Sequence, residues 1–230
     1  MTTLVRLDEV GSTQEWMKAA IAAGEAPRAV LADRQTAGRG RFGRSWYGAE
    51  TGSLAMSIAF PEYAASSRPW LVGMRAAIAV AGAIHARLRW PNDLFLDGKK
   101  VGGVLTELVQ APDGTSVPVV GIGVNVAIRE FPPELAPIAT SLVLHREREI
   151  DIPELAEAIL QRLDSLPEPD RWDPLYPIWD LFDDTPGKLY RLPTGEDAVA
   201  IGVGPQGELV CAVDGETTLA LAADAILGRS

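Results

Sequence analysis

Residues 38–46 read Gly-Arg-Gly-Arg-Phe-Gly-Arg-Ser-Trp, and the stretch lies between two apolar runs with strand character, Ala29–Ala32 and Ser53–Phe60. Its glycines allow the backbone to come close to a bound molecule, and its arginines can offer paired donors to a phosphate or a carboxylate. The stretch therefore predicts a loop that binds a small anion. A flexible, solvated turn whose arginines pair with surface carboxylates is one alternative, and an arm that binds nucleic acid is another.

Outward from this loop, the spacing of apolar residues predicts many strands with helices at intervals, which indicates the α+β class with a mixed or antiparallel sheet. A hydroxyl cap at Ser12-Thr13 predicts a helix start, and the Asp97-Gly98 pair predicts a hairpin turn. The predicted helices are Trp16–Ala23, Trp70–Ala86 and Ile152–Leu163. The other predicted strands are Leu4–Val10, Leu88–Trp90, Leu94–Leu96, Lys100–Val109 and Val117–Val126.

The last third of the chain differs in composition from the rest. Residues 167–186 are rich in proline and acid, which predicts a connector that cannot continue a helix. From Gly187 onward, short β-like runs alternate with turn signals, which predicts a small C-terminal β-barrel over residues 187–230. The runs are Lys188–Leu192, Ala198–Val203, Leu209–Val213 and Thr217–Leu221. Residues 1–166 are predicted to form the main domain.

Composition and charge limit the classes of function. A chain of 230 residues with 47% apolar content can bury a sizeable core, and its single cysteine, Cys211, excludes an internal disulfide framework. The net charge of −10 comes from residues 151–230, which hold 5 basic and 16 acidic residues, so the arginine loop lies in a near-neutral part. A targeting segment and a long apolar run are both missing, which predicts a cytoplasmic protein that does not bind a membrane. Few basic residues outside the arginine loop would extend a contact with nucleic acid, so no nucleic-acid partner is expected.

Three further motifs could carry chemistry. Residues 89–93, Arg-Trp-Pro-Asn-Asp, combine a cation, an aromatic plate and two side chains that can orient a ligand, although a surface turn has similar composition. Residues 100–104, Lys-Val-Gly-Gly-Val, place paired glycines in a predicted strand, where a bulge or a close ligand would need the space. Residues 121–125, Gly-Ile-Gly-Val-Asn, repeat that pattern and end in an amide.

Other chemistries have little support in the sequence. His85 and His145 have no partner at metal-ligand spacing, so no metal site built by the protein is predicted. Cys211 has no neighbouring histidine, which disfavours a nucleophile. Neither a Gly-x-Ser-x-Gly pattern nor a Walker-type Gly-x4-Gly-Lys-Ser/Thr pattern occurs, which disfavours acyl-enzyme and P-loop chemistry.

The order of these blocks resembles the catalytic domain of biotin protein ligases over roughly residues 10–145. The blocks are Ser12-Thr13, residues 35–46, residues 90–93, residues 100–107 and residues 121–126. The resemblance implies the α+β fold shared with class II aminoacyl-tRNA synthetases and lipoate ligases, followed by an SH3-like C-terminal barrel. It also implies two reaction steps with ATP, biotin and Mg²⁺. Biotin and ATP give biotinyl-AMP, and a lysine of a biotin carboxyl carrier protein then attacks that mixed anhydride.

The resemblance further implies roles for individual residues. Catalytic roles fall to Arg89, Asp93 and Lys100. The adenylate would contact Arg39, Arg41, Arg44, Trp46, Asn92 and Asn125. Biotin would contact Ser12, Thr13, Gln35, Gly38, Arg39, Gly102 and Gly103.

Two positions depart from the family's pattern. Arginine stands at position 89, where the resemblance leads us to expect a lysine that touches both reacting anions, and glutamine stands at position 14 instead of asparagine. A planar guanidinium does not replace a compact ammonium at a crowded centre. The sequence therefore leaves open a ligase with altered rates, a ligase for lipoate, octanoate or another acid, and a binding protein without catalysis. With eleven residues before Ser12, no DNA-binding domain is expected, and a homodimer is compatible with the sequence.

Overall fold

The computed structural model describes residues 4–48, 52–145 and 149–225, apart from the side chain of Phe42. Its centre is a seven-stranded sheet with the strand order β1-β2-β3-β7-β6-β5-β4. β1 and β2 run parallel, and each of the other neighbouring pairs is antiparallel. The strands are β1 (Leu4–Val10), β2 (Ala29–Gln35), β3 (Ser53–Ala59), β4 (Arg87–Arg89), β5 (Asp93–Leu96), β6 (Lys99–Gln110) and β7 (Ser116–Asn125). The predicted α+β class with a mixed sheet is confirmed.

Helices cover both faces of this sheet. On one face lies α2 (Pro69–Ile84), which is buried almost throughout because its run of alanines and aliphatic residues offers no polar side. Beside α2 lies α3 (Ile152–Ser165), whose start is capped by Asp151 accepting a hydrogen bond from the Glu154 backbone N–H at 2.8 Å. On the other face lies α1 (Thr13–Ala23), which packs Met17 and Ile21 against the sheet. α1 covers only part of its face, and the remainder is available for a cavity.

The helix predictions need small corrections. The second helix ends at Ile84 rather than Ala86, because His85 adopts the left-handed conformation, with a φ of 52°, that closes a helix. The first helix begins at Thr13 with Ser12 at its N-cap position, which confirms the predicted start, but the Ser12 hydroxyl makes no capping hydrogen bond among the described residues. The Asp97-Gly98 turn is also confirmed, since both residues have positive φ angles, 46° and 77°.

The C-terminal strands form a second sheet of five strands in the order β11-β10-β9-β8-β12. β11 and β12 stand at the two ends of that order and do not pair within residues 149–225, so the expected closed SH3-like barrel is not confirmed. The strands are β8 (Leu189–Arg191), β9 (Asp197–Val203), β10 (Leu209–Val213), β11 (Glu216–Ala220) and β12 (Asp224–Ala225).

The connector between the two sheets has structure of its own. It contains the short helix α4 (Tyr176–Asp180) and buries Trp172 and Trp179 edge to face at 5.8 Å between ring centroids. Its end pairs with the outer edge of β4, where the Leu88 N–H donates to Phe182 O at 2.8 Å. Among the residues that the structure describes, no helix has the length and apolar character needed to cross a membrane.

Candidate active site

A cavity of about 360 Å³ opens on the face of the central sheet that α1 leaves uncovered. Its floor is formed by β6 and β7, and α1, the arginine loop and segment 131–139 form its sides. Gly103 pairs with Gly123 and Leu105 pairs with Gly121, so these four residues share one face of the sheet. The cavity is lined by Ser12, Thr13, Gln14, Gln35, Arg39, Gly40, Arg41, Arg44, Ser45, Trp46, Tyr47, Met56, Asn92, Asp93, Lys100, Gly103, Val104, Leu105, Gly121, Ile122, Gly123, Asn125, Phe131, Leu135, Ile138, Ala139, Asp224 and Ala225.

One end of the cavity is polar and buried. The start of α1 places Ser12, Thr13 and Gln14 there, each less than a tenth exposed. The Gln35 side chain reaches them from the end of β2, and its Oε1 accepts from the Thr13 backbone N–H at 2.9 Å and from Thr13 Oγ1 at 3.1 Å. A fixed set of buried polar atoms of this kind recognises a ligand by its hydrogen-bonding groups rather than by its bulk.

The glycines of the floor provide space for side chains from distant segments. A Cβ at Gly121 would lie 2.8 Å from Gln14 Oε1, and a Cβ at Gly123 would lie 2.8 Å from the Trp46 indole. These glycines were predicted to permit either a bulge or a close ligand. The structure instead places Gln14 and Trp46 over them, and both of those side chains line the cavity.

Lys100 and Asp93 bring opposite charges to the lining of the cavity. Lys100 Nζ lies 2.6 Å from Asp93 Oδ1 and 5.9 Å from the centroid of the Trp46 ring. Both side chains are mostly buried. The backbone of Lys100 is fixed as well, because its amide N–H donates to Ile138 O at 2.8 Å. The ammonium is therefore positioned before any ligand arrives.

The arginine loop has an ordered backbone. The Gly40 N–H donates to Arg44 O at 2.8 Å, and the Trp46 N–H donates to Gly38 O at 3.0 Å, so the loop folds back on itself. Arg39, Arg41, Arg44 and Trp46 all line the cavity. The loop that the sequence predicts is thus present, and its arginines face the cavity.

Each of the three arginines has a partner outside the loop. Arg39 lies 3.2 Å from Glu15 on α1, and Arg41 donates to the Ala223 carbonyl at 3.0 Å. Arg44 Nη1 lies 3.0 Å from Asp224 Oδ1 on β12. Burial lowers the pKa of the Arg41 guanidinium, whereas the hydrogen bond that Arg44 donates to the Asp224 carboxylate raises the pKa of Arg44. The C-terminal sheet therefore completes the wall of the cavity.

Several buried polar atoms around the cavity have no hydrogen-bond partner among the residues that the structure describes. They are Trp46 Nε1, Asn92 Oδ1 and Asn125 Oδ1. The two amide nitrogens are satisfied, since Asn92 donates to Val104 O and Asn125 donates to Thr140 O at 3.0 Å. Unpaired buried atoms are costly, so these three could be completed by polar groups of a ligand in the cavity.

Three predicted site residues do not line the cavity. Gly102 points to the opposite face, where a Cβ would lie 2.8 Å from Gly123 O, and Gly38 lies behind Gln35. Arg89 Nε binds Asp184 Oδ2 at 2.8 Å, and its guanidinium stacks 3.8 Å over the Phe95 ring. A catalytic role for Arg89 does not agree with this position, because its charge is neutralised by the connector outside the cavity.

Some walls of the cavity are formed by residues that were not predicted from the sequence. Phe131, Leu135 and Ile138 come from a loop that shows neither strand nor helix periodicity. Asp224 follows the last predicted strand and gave no signal of its own. Gln14, treated as a small departure from a family pattern, closes the polar end. Within the described part of the chain, no three His, Cys, Asp or Glu side chains cluster in a way that could hold a metal ion.

Known proteins share this architecture. "Bifunctional ligase/repressor BirA" of Bacillus spizizenii is 38% identical over 159 residues, which cover 64% of this chain and 48% of that protein. The chain thus spans about half the length of that relative. "Biotin--[acetyl-CoA-carboxylase] ligase" of Mycobacterium tuberculosis is 29% identical over 240 residues, covering 95% of this chain and 86% of the relative.

A solved structure and a family model agree with these relatives. The biotin protein ligase of Aquifex aeolicus, solved in complex with biotin and ATP, superposes with a TM-score of 0.75 and 27% identity over the whole of both chains. Residues 7–125, from β1 to the end of β7, match the model of the biotin/lipoate A/B protein ligase family. The matched segment contains the polar end, the arginine loop, Lys100 and the glycine floor. This chain therefore belongs to the biotin/lipoate A/B protein ligase family.

Proposed function

We propose that this chain is an ATP-dependent biotin protein ligase that forms biotinyl-AMP and transfers the biotinyl group to a lysine of a biotin carboxyl carrier protein. The observation that carries this proposal is the lining of one cavity, which includes a buried polar end, Lys100 and the arginine loop. That set of groups fits an acid with a polar head, its carboxylate, and a nucleotide phosphate. The relatives and the superposed Aquifex aeolicus structure support the same function.

The first step requires two anions to meet. The carboxylate of the acid attacks the α-phosphate of ATP, and pyrophosphate leaves with the electrons of the broken P–O bond. Lys100 is a largely buried cation of the cavity lining, so it is positioned to neutralise the repulsion and to stabilise charge on the phosphate oxygens. Arg39, Arg41 and Arg44 would bind the adenylate from the loop side, and Asn92, Asn125 and Trp46 would supply their unpaired polar atoms to it.

The second step forms an amide. A lysine ammonium of the carrier protein has an ordinary pKa of about 10.4 and must lose a proton before its nitrogen attacks the anhydride carbonyl. Asp93 is the carboxylate next to Lys100 at the cavity, so it is placed to orient the incoming amine. The arginine loop would shield the adenylate from water until that amine arrives.

The residues present suit a magnesium ion that arrives with the nucleotide. The two carboxylates of the lining, Asp93 and Asp224, are engaged with Lys100 and Arg44. Mg²⁺ usually takes most of its ligands from water and substrate phosphates, with one or two carboxylates from the protein, and Asp93 and Asp224 are the carboxylates that the lining offers. The metal would balance the charge of the triphosphate.

The test is biotin-dependent exchange of labelled pyrophosphate into ATP. The unaltered chain should support exchange with biotin and much less exchange with lipoate or octanoate, because those acids lack hydrogen-bonding groups for the polar end. Exchange with lipoate alone would favour the second candidate, a lipoate ligase. Stabilisation by biotin without exchange would identify a binding protein instead.

A further inference from the structure

Four side-chain oxygens form a continuous chain beneath the polar end of the cavity. Gln35 Oε1 lies 3.1 Å from Thr13 Oγ1, which lies 2.9 Å from Ser57 Oγ, which lies 3.0 Å from Gln14 Oε1. Ser57 is fully buried on β3, directly opposite Gly121 on β7, and does not itself line the cavity. It is the link between the two halves of this chain of oxygens.

The orientation of both terminal amides is fixed by backbone partners. The Thr13 backbone N–H can only donate, so the atom of Gln35 that faces it at 2.9 Å is the oxygen. The Val119 carbonyl can only accept, so the atom of Gln14 that faces it at 3.1 Å is the nitrogen. Both amides therefore turn their oxygens toward the hydroxyl groups of Thr13 and Ser57.

This arrangement has fewer hydrogens available for donation than it has oxygen-to-oxygen contacts. Each hydroxyl has one hydrogen to donate, and the amide oxygens have none, so two hydrogens serve three oxygen-to-oxygen contacts. One of those contacts is left without a hydrogen whichever way the hydroxyl groups turn. A ligand group that brings an N–H donor relieves the shortage, whereas a hydrocarbon or a ring sulfur does not.

The glycine floor makes the arrangement possible. A Cβ at position 121 would lie 2.8 Å from Gln14 Oε1, so only glycine leaves the glutamine room to reach both Ser57 and Val119 O. The extra methylene of glutamine over asparagine is thereby accommodated, and the side chain spans from α1 to β7.

We infer that Ser57 is a positioning residue that tunes the polar end for a head group bearing N–H donors, such as a cyclic urea. This inference rests on the proposed function and adds to it a residue that acts through Thr13 and Gln14 without touching the ligand. Removal of the Ser57 hydroxyl frees the Thr13 oxygen from one neighbour and leaves Gln14 Oε1 without its hydroxyl partner. Recognition of the head group should weaken while the chemistry at Lys100 is unaffected.

The experiment measures biotin and lipoate binding to the full chain by calorimetry, together with kcat and KM in the exchange assay. Ser57→Ala is expected to weaken biotin binding roughly tenfold, the effect of about one lost hydrogen bond. Its kcat and its KM for ATP should stay within about twofold. The preference for biotin over lipoate should narrow by a similar factor, since lipoate makes no use of the hydroxyl groups.

Ser141→Ala is the matched control. Ser141 is another fully buried serine, and its Oγ accepts from the Ile128 N–H at 3.1 Å away from the polar end. This variant should lose thermal stability without any change in biotin binding. Ser57→Cys, which keeps a weak donor of similar size, should fall between wild type and Ser57→Ala, and it serves if the alanine variant does not fold.

The possible results distinguish failure of the inference about Ser57 from failure of the proposed function. Unchanged biotin binding in Ser57→Ala overturns the inference and leaves the proposed function intact. An equal loss of kcat with every substrate, in step with a lower Tm, also overturns it, since a purely structural role has that signature. If the unaltered chain neither binds biotin nor supports exchange, the proposed function fails and the inference falls with it.

Discussion

Lys100 Nζ lies 2.6 Å from Asp93 Oδ1 across the hairpin of β5 and β6, and both residues line the cavity together with the polar end and the arginine loop. Each side chain restrains the other, so the ammonium is held for an incoming anion and the carboxylate for an incoming amine. The pair is therefore the first target for mutation.

Lys100→Ala should lower the rate of pyrophosphate exchange by roughly 100- to 1,000-fold, because a positioned cation that stabilises developing charge is worth that much in comparable sites. The loss should appear in kcat more than in KM for biotin. Lys99→Ala is the neighbouring control, since Lys99 is exposed and donates to Ala136 O at 2.7 Å. Equal effects of the two substitutions would contradict a central role for Lys100.

Arg89→Lys should leave the exchange rate within about twofold of wild type, because the side chain points to Asp184 and Phe95 and not into the cavity. Arg89→Ala should lower stability by about 1 kcal/mol, which amounts to roughly 2–4 °C in Tm. An exchange assay checks the first variant, and a thermal melt checks the second. A large gain of activity in Arg89→Lys would restore the idea that position 89 limits catalysis.

Gly123→Ala should displace Trp46, since the new Cβ would lie 2.8 Å from its indole. We expect a rise in KM for ATP of roughly tenfold or more, because an aromatic neighbour of the proposed nucleotide site is moved. Gly202→Ala is the control, as a Cβ at that strand position meets nothing within 4 Å. Steady-state kinetics with varied ATP would distinguish the two variants.

Asp224→Ala should make the arginine loop easier to cleave with trypsin. The substitution removes the carboxylate that binds Arg44, whereas the contact between Arg41 and the Ala223 carbonyl remains. Cleavage after residues 39, 41 or 44, followed by mass spectrometry, should be several-fold faster than in wild type. Biotin with ATP should slow it again in both proteins, and equal rates without ligand would show that β12 does not restrain the loop.

Asp183→Asn should raise Tm at pH 7. Burial raises the pKa of Asp183 in the folded chain above its ordinary value of 3.8, so the folded state holds this proton more tightly than the unfolded state does. The free energy of unfolding therefore falls as the pH rises from the ordinary pKa of Asp183 through its raised pKa in the folded chain. An amide at position 183 does not titrate, so the variant keeps this stability. The difference from wild type should vanish below about pH 4. The exposed Asp8→Asn controls for removal of charge alone.

Local sequence was sufficient to predict a structural feature where the residues that determine it are close together in the chain. The start of α1 after Ser12, the Asp97-Gly98 turn and the arginine loop depend on dihedral preferences and spacing, and each was predicted. The position of Arg89 was not, because its partner Asp184 is 95 residues away. Gly121 and Gly123 were identified as unusual, but the side chains that need their space, Gln14 and Trp46, reach them only through the folded sheet.

The pairing of the connector with β4 has a consequence for shortened versions of the chain. A protein cut after residue 166 would expose the hydrogen-bonding edge of β4, and the Trp90 indole would lose the Gly207 carbonyl, its acceptor at 2.8 Å. An uncovered strand edge is a template for association with other chains. Truncation is therefore expected to yield aggregates rather than a minimal enzyme. The acidic last third thus protects the chain from association as well as contributing to the wall of the cavity.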